Sequence, residues 1–215
     1  MPDNAAIGSI LGLGPVVPVI VIDDVAHAVP LAEALVAGGV RVLEVTLRTE
    51  AGLESIRRIR EAVPDAVVGA GTVLTAAQLE EVAAVGGAFA VSPGATPSLL
   101  DAAANSPVPL LPGTATASEV MTVLEHGYTF MKLFPAEPAG GVPLLSSLAS
   151  PLPAARFCPT GGIDPEKAKR YLALSNVVCV GGSWLVPRDA MRDGNWGRIT
   201  ELARATLGLK PGSAQ

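Results

Sequence analysis

Residues 16–46 read VVPVIVIDDVAHAVPLAEALVAGGVRVLEVT, and this stretch decides the fold class. An apolar run at 16–22 is followed by apolar residues at helical spacing over 25–37 and by a second apolar run at 40–46. Two short strand-like runs that flank a helical pattern are typical of a βαβ unit, in which a helix joins two parallel strands. The stretch therefore predicts an α/β fold with a parallel sheet.

The same alternation continues along the rest of the chain. Further strand-like runs are expected at 66–71, 88–92, 108–112, 129–134, 156–160 and 177–181, with helical patterns at 50–62, 76–84, 97–104, 117–125, 141–150, 165–174 and 196–207. Eight strand–helix units predict a (β/α)8 TIM barrel as a single domain over 1–215. A doubly wound open sheet is the alternative, because periodicity does not show closure. Residues 1–14 are expected to form an N-terminal helix or cap, and 211–215 a frayed tail.

The composition excludes several classes of protein. Of the 215 residues, 49% are hydrophobic and 16% are charged, which excludes a disordered chain. A net charge of -5 disfavours a nucleic-acid partner, although a local site for one phosphate stays possible. The 18 residues of 5–22 carry no charge, but three glycines and two prolines interrupt them. We therefore expect neither a signal peptide nor a membrane span, and a cytoplasmic location by default.

The cysteines and histidines give no sign of a metal or a cofactor. Cys158 and Cys179 lack the spacing of a disulfide framework or a zinc site and are expected to be small buried hydrophobic residues. His27 and His126 share no motif and are expected on helix surfaces. The segment Gly69-Ala70-Gly71 lacks the third glycine of a dinucleotide fingerprint.

Glu44 is the first candidate for chemistry. The period of a strand places it on the same face as Val40 and Val42, and a carboxylate among inward-facing valines is costly to bury without a partner. Arg48 follows four residues later, at the expected mouth of the barrel. Two interpretations remain open: a buried Glu–Arg brace, or a proton-transfer carboxylate beside an arginine that binds an anion.

Lys132 is the second candidate, because apolar residues flank it on both sides within a strand-like run. Desolvation favours the neutral form of a lysine, and a neutral amine can attack a carbonyl to form a Schiff base. The alternative is a lysine at a strand end that extends its ammonium to water.

The last two strands end in Thr160-Gly161-Gly162 and Gly181-Gly182-Ser183. Glycine pairs at strand ends let backbone N–H groups approach an anion closely, and the loops after the seventh and eighth strands form the common phosphate site of TIM barrels. Two tight turns would explain the same glycines, but their occurrence at adjacent strand ends favours a phosphate site.

Six segments, in order along the chain, resemble the 2-dehydro-3-deoxy-6-phosphogluconate aldolase family, the class I pyruvate aldolases of the Entner–Doudoroff route. They are VVPVIVIDDVAHAVPLAEALVAGGVRVLEVTLRTE (16–50), VGAGTVL (68–74), SPG (92–94), FMKLFPAE (130–137), RFCPTGGI (156–163) and VGGSWLVP (180–187). The EVTLRT and KLFPAE pieces are specific in combination. The chain departs from some members at Leu133, where a second aromatic residue is found.

The resemblance implies a role for each matching residue. Lys132 looks like the imine-forming lysine and Glu44 like the proton shuttle. Substrate-binding positions match Arg48 and Thr72 for the pyruvyl carboxylate, Pro93 and Phe134 for the pocket walls, and Thr160 for substrate orientation. The phosphate end matches Gly161, Gly162, Gly182 and Ser183. Strand parity alone does not tell whether Cys158 or Phe157 faces inward, so the facing of Thr160 stays open.

The function implied by the resemblance is cleavage of 2-dehydro-3-deoxy-6-phosphogluconate, a phosphorylated keto acid, to pyruvate and glyceraldehyde 3-phosphate. The resemblance also implies a homotrimer and a mechanism without metal or cofactor. Three alternatives remain: a pyruvate aldolase for the 6-phosphogalactonate epimer or for 4-hydroxy-2-oxoglutarate, a phosphate-binding isomerase or synthase on the same fold, and a non-catalytic binding barrel.

Overall fold

The computed structural model describes residues 1–209, so the expected tail at 211–215 lies outside the described residues. The strands are β1 (Val16–Ile20), β2 (Val42–Thr46), β3 (Val67–Gly71), β4 (Ala90–Val91), β5 (Leu110–Leu111), β6 (Gly113–Thr114), β7 (Phe130–Leu133), β8 (Arg156–Pro159) and β9 (Val180–Gly182). The helices are α1 (Asn4–Leu11), α2 (Ala28–Ala37), α3 (Gly52–Ala62), α4 (Ala76–Ala84), α5 (Pro97–Ala103), α6 (Ala117–Glu125), α7 (Ala136–Ala139), α8 (Gly141–Ala149), α9 (Pro165–Leu172), α10 (Arg188–Arg192) and α11 (Trp196–Thr206).

All strand pairs are parallel and form a curled sheet in two pieces. One piece has the order β5-β4-β3-β2-β1-β9, and the other has the order β6-β7-β8. Pro112, which has no N–H to donate to a ladder, separates β5 from β6. Two isolated parallel bridges, between Phe157 and Val177 and between Thr160 and Gly181, connect β8 and the residue after it to β9 and the segment before it. The parallel α/β class expected from the sequence is confirmed.

The sheet separates two apolar clusters. The outer cluster lies between the sheet and the helices and includes Phe157, whereas Cys158 belongs to the inner cluster. The inner cluster joins residues of several strands to α1 through Ile7 and Leu11. Asn4 anchors α1 by donating its side-chain N–H to the Gly127 carbonyl at 2.8 Å. The helix expected within 1–14 therefore covers one end of the curled sheet.

Helix starts follow capping chemistry in most places, with one correction. The Asp164 carboxylate accepts from the Lys167 N–H at 2.9 Å and caps α9, as the Asp-Pro pair predicts. The helix expected over 50–62 begins two residues later, at Gly52 of α3, and the Thr49 hydroxyl before it donates to the Ile22 carbonyl. The sequence also missed α7 and α10, because helices of four and five residues are too short to show a period. No helix within residues 1–209 is both long and apolar enough to cross a membrane.

Candidate active site

Glu44 and Lys132 form an ion pair in the interior of the protein. Lys132 Nζ donates to Glu44 Oε1 at 3.2 Å, and the side chains of Lys132 and Glu44 are only 3% and 4% exposed. Register places Glu44 opposite Val19 of β1 and Lys132 opposite Cys158 of β8. The Glu–Arg brace, one of the two interpretations that the sequence left open, is absent from the described hydrogen bonds, and the buried carboxylate has the lysine as its partner.

Glycines make the room that this pair occupies. A Cβ at Gly71, on the neighbouring strand β3, would overlap the Glu44 carboxylate oxygen and lie 2.7 Å from its Cγ. Gly113, opposite Lys132 in the ladder, has the backbone of Pro93 so close that a Cβ would overlap it. Close backbone approach explains why these strand positions carry no side chain.

A cavity of about 780 Å³ opens at the carboxyl ends of the strands. The residues predicted from the sequence that line it are Arg48, Phe134, Thr160, Gly161, Gly162, Gly182 and Ser183. The Phe134 ring connects the cavity to the ion pair, because Lys132 Nζ lies over this ring, 5.1 Å from its centroid. Neither residue of the ion pair lines the cavity itself, so Phe134 is the link between the pair and the cavity at the carboxyl edge of the sheet, where active sites of parallel barrels are found.

Arg48 and Thr72 meet at the mouth of the site. Arg48 Nε donates to the Thr72 hydroxyl at 3.0 Å, and Arg48 is exposed to solvent. Thr72 has a φ of 61°, and it is the only non-glycine residue with a positive φ in the described part of the chain. This backbone conformation is costly for a β-branched residue, and such outliers cluster at functional sites. The guanidinium retains donors that face solvent and can bind a carboxylate.

Thr160 faces the interior of the sheet. Cys158 lies in the inner apolar cluster, and the period of a strand places Thr160, two residues later, on the same face. The Thr160 hydroxyl lies at 3.4 Å from the Cys158 carbonyl, and Thr160 lines the cavity. A Cβ at Gly181 would overlap this hydroxyl, so the glycine provides its space. The sequence left open whether Cys158 or Phe157 faces inward, and the structure shows that Cys158 and Thr160 do.

The loop after β8 presents unused backbone donors. Gly161 and Gly162 have φ values of 108° and 77°, which are accessible to glycine and strained for other residues. Within residues 1–209, the N–H groups of Gly162 and Ile163 donate to no protein acceptor, and both residues line the cavity. Successive free N–H groups in a turn form a concave anion site.

Four predicted residues lie outside the cavity wall, namely Glu44 and Lys132 of the ion pair, Thr72 and Pro93. Thr72 reaches the site through its hydrogen bond with Arg48, and half-buried Pro93 packs against Gly113. The sequence missed that His27, Asp23 and Asp24 line the cavity. Their position directly after β1 could have identified them, because loops after strands line such sites.

The cysteines lie on the inner face, close to the ion pair. A hydrogen bond with Cys158 raises the pKa of the Cys179 thiol well above its ordinary range, and burial and the charge of Glu44 act in the same direction. Cys179 therefore remains a neutral thiol and, as the sequence indicated, packs as a small buried residue. Among residues 1–209, no group of three or more His, Cys, Asp or Glu side chains is arranged to hold a metal ion.

Known proteins match the chain over most of its length. A family model described as aldolase, KDPG and KHG aldolase, matches residues 7–202. The KHG/KDPG aldolase of Escherichia coli K12 is 57% identical over 199 residues, which are 93% of each chain.

Two solved structures share the fold at a TM-score of 0.92 and 48% identity. One is KDPG aldolase from Legionella pneumophila with pyruvate captured at low pH as a covalent carbinolamine intermediate, and 94% of this chain and 98% of that chain are covered. The other is the 2-keto-3-deoxy-6-phosphogluconate aldolase of Zymomonas mobilis ZM4 with 3-phosphoglycerate, and 99% of each chain is covered.

Proposed function

Because the chain belongs to the KDPG and KHG aldolase family, we propose that it cleaves 2-dehydro-3-deoxy-6-phosphogluconate to pyruvate and glyceraldehyde 3-phosphate through a Schiff base on Lys132. The single observation that carries this assignment is the buried Lys132–Glu44 pair at 3.2 Å, which contacts Phe134 in the wall of a cavity that also holds free backbone donors. An isomerase or a binding protein on this fold has no need of a lysine that forms an imine. The captured carbinolamine in the Legionella relative supports covalent chemistry at a lysine.

The first step requires a neutral amine at Lys132. Transfer of a proton from the ammonium to Glu44 across their hydrogen bond supplies it and leaves Glu44 as an acid. The amine attacks the C2 ketone to give a carbinolamine. Glu44 then donates the proton with which the hydroxyl leaves as water, and a protonated imine forms.

Carbon–carbon cleavage follows, because the protonated imine accepts an electron pair. Glu44, now a carboxylate, takes the C4 hydroxyl proton directly or through a water. The C3–C4 bond breaks, and glyceraldehyde 3-phosphate leaves. The electron pair of the broken bond stays with C3 and forms the enamine. Glu44 returns the proton to C3, and hydrolysis of the imine releases pyruvate and restores Lys132. One carboxylate acting in turn as acid and base accounts for every proton.

The remaining predicted residues bind the two ends of the substrate. Arg48 and Thr72 hold the pyruvyl carboxylate, because the guanidinium is positively charged and can donate two hydrogen bonds to a carboxylate. Pro93 and Phe134 form the walls, and Thr160 orients the C4 region. Backbone groups of the phosphate end, Gly161, Gly162, Gly182 and Ser183, bind the phosphate.

We also propose that the chain is one domain whose eight strands close into a (β/α)8 barrel. In support, only Pro112 separates β5 from β6, so these two count as one strand of the eight. The isolated bridges also connect β8 with β9 and the segment before it. We propose further that the protein is a cytoplasmic homotrimer, since the resemblance of the sequence implies the trimer and the lack of a signal-peptide pattern favours this location. Light scattering after gel filtration checks the trimer, with an expected mass three times the 21.8 kDa of one chain.

Activity toward 4-hydroxy-2-oxoglutarate is a second candidate, because the E. coli relative carries both activities in its name. The same lysine and carboxylate would serve it, since this substrate also contains a C2 ketone and a C4 hydroxyl. The carboxylate attached to C4 of 4-hydroxy-2-oxoglutarate would lie where the phosphorylated substrate has its phosphate-bearing carbon chain. Steady-state kinetics with both substrates compares the two activities.

Borohydride reduction in the presence of pyruvate tests the mechanism. We expect one pyruvate to become attached irreversibly at Lys132, while activity survives EDTA. Lys167 and Lys169 are internal controls, because both are solvent-accessible in the structure and lie on α9. Label on either control lysine alone, or loss of activity with the chelator, would contradict the proposal.

A further inference from the structure

The loop that carries Gly161 and Gly162 is held from the side away from the cavity. The Thr160 carbonyl accepts from the Ala136 N–H at 2.8 Å, and the Gly161 carbonyl accepts from the Glu137 N–H at 3.1 Å. The next carbonyl, that of Gly162, accepts from Lys167 Nζ at 2.8 Å. Three successive carbonyls are therefore fixed, two by the backbone of α7 and the third by a side chain.

These contacts determine where the free donors point. In a trans peptide, the N–H lies opposite the carbonyl of the preceding residue, within the same plane. Fixing the Gly161 carbonyl thus orients the N–H of Gly162, and fixing the Gly162 carbonyl orients the N–H of Ile163. Both N–H groups lack a protein acceptor within residues 1–209, and both residues line the cavity. The orientation of the second donor depends on one lysine.

Lys167 is itself held by charged and polar partners. Its ammonium lies 3.1 Å from Glu137 Oε2 and 3.8 Å from Asp164 Oδ2. The Tyr171 hydroxyl donates a short hydrogen bond to Glu137 Oε1. This bond and the neighbouring Lys167 lower the pKa of the Glu137 carboxyl, so that it stays ionised as the partner of the lysine. Lys167 does not line the main cavity, so its ammonium acts through the loop.

We propose that Lys167 is a positioning residue for the substrate phosphate, which holds the Gly162 carbonyl so that the Ile163 N–H points at the phosphate, and that Glu137 and Tyr171 hold Lys167 in place. This inference rests on the proposed function and deepens it. It adds a side-chain network, outside the cavity, that selects phosphorylated substrates. Unphosphorylated keto acids gain nothing from it.

Lys167→Met tests the proposal, because it removes the ammonium and keeps most of the apolar stem. We expect KM for 2-dehydro-3-deoxy-6-phosphogluconate to rise roughly fivefold to tenfold, as for loss of one charge-assisted hydrogen bond, with kcat nearly unchanged. The inhibition constant of inorganic phosphate rises with it. Kinetics with 4-hydroxy-2-oxoglutarate stay at the wild-type level, and Lys167→Arg restores part of the affinity.

Lys169→Met is the matched control, since Lys169 lies on the same helix and pairs only with Glu166 among the described residues. It should behave as wild type toward both substrates. Glu137→Gln is a second route to the same effect, because it weakens the hold on Lys167 while the Glu137 N–H stays on the Gly161 carbonyl.

Three outcomes would overturn the inference: equal losses on both substrates in Lys167→Met, kinetics indistinguishable from Lys169→Met, or a lowered kcat with an unchanged KM. Thermal melting of each variant separates misfolding from a local effect. If the wild-type protein cleaved neither keto acid, the proposed function itself would fail. Inorganic phosphate binding, followed by calorimetry in wild type and Lys167→Met, would then still decide whether Lys167 positions an anion site.

Discussion

Lys132 Nζ lies 3.2 Å from Glu44 Oε1, although 88 positions separate the two residues in the chain and their strands, β7 and β2, are not neighbours in the sheet. The pair therefore meets across the interior of the curled sheet. A buried ion pair adds little net stability, because desolvation of both charges offsets their attraction. A chemical role explains the pair better than a structural one, since apolar residues would fill the same space without that cost.

Glu44→Gln separates the two roles. Glutamine keeps the volume and an oxygen acceptor for Lys132, but it cannot transfer a proton. General acid–base catalysis contributes about 10²–10⁴-fold, so we expect kcat to fall by that order while the fold persists. Formation of the imine with pyruvate should slow as well. Parallel measurement of kcat and Tm checks this, with exposed Glu33→Gln as the control. Near-wild-type kcat with a sharply lowered Tm would make Glu44 a structural partner.

Gly71→Ala moves the carboxylate without altering its chemistry. The added Cβ would overlap Glu44 Oε1 and lie 2.7 Å from Glu44 Cγ, so the carboxylate must shift away from its present place. Displacement by about 1 Å at a reacting group can cost on the order of 10²-fold in rate. We expect kcat to fall by that order with KM little changed. Gly14→Ala is the control, because nothing lies within 4 Å of its added Cβ. Full activity in Gly71→Ala would show that the position of the carboxylate is not critical.

The sequence alone predicted the parallel α/β class and the residues at the strand ends, because strand period and glycine pairs are local signals. It did not predict that Glu44 pairs with Lys132 and not with Arg48, since that contact depends on how far the sheet curls. Glu137 and Lys167 also escaped notice. A surface glutamate and a helix lysine look like solvated charges until three-dimensional packing places them against a loop carbonyl.

The contacts of Glu137 with Tyr171 and Lys167 predict that the stability of the fold depends on pH. The folded-state pKa of Glu137 is lowered, first by the Tyr171 hydrogen bond and then by Lys167, whereas burial opposes this shift. A lowered pKa contributes stability that is present above the unfolded value, about 4.3, and is lost as pH falls through the folded value. Tm of wild type should therefore exceed that of Glu137→Gln near pH 7, and the gap should narrow below about pH 4. A gap that is constant between pH 7 and pH 3 would contradict an ionised Glu137 in the network.

Gly162→Val tests the phosphate site itself. Gly162 has a φ of 77°, a conformation that a β-branched residue adopts only under strain, and an added Cβ would lie 2.9 Å from Glu137 Cγ. The loop must then rotate, so the Gly162 and Ile163 N–H groups no longer converge on one anion. We expect KM for 2-dehydro-3-deoxy-6-phosphogluconate to rise by about 10-fold or more, since two hydrogen bonds to a charged group are weakened.

The same variant should act on 4-hydroxy-2-oxoglutarate with a much smaller change, because that substrate carries no phosphate. Gly208→Val is the control, since nothing lies within 4 Å of its added Cβ. Trapping of pyruvate by borohydride should also survive in Gly162→Val, because Lys132 and Glu44 lie on other strands. Equal losses of kcat/KM for both keto acids would mean that Gly161 and Gly162 form only a tight turn, and the phosphate would have to bind through the loop of Gly182 and Ser183 alone.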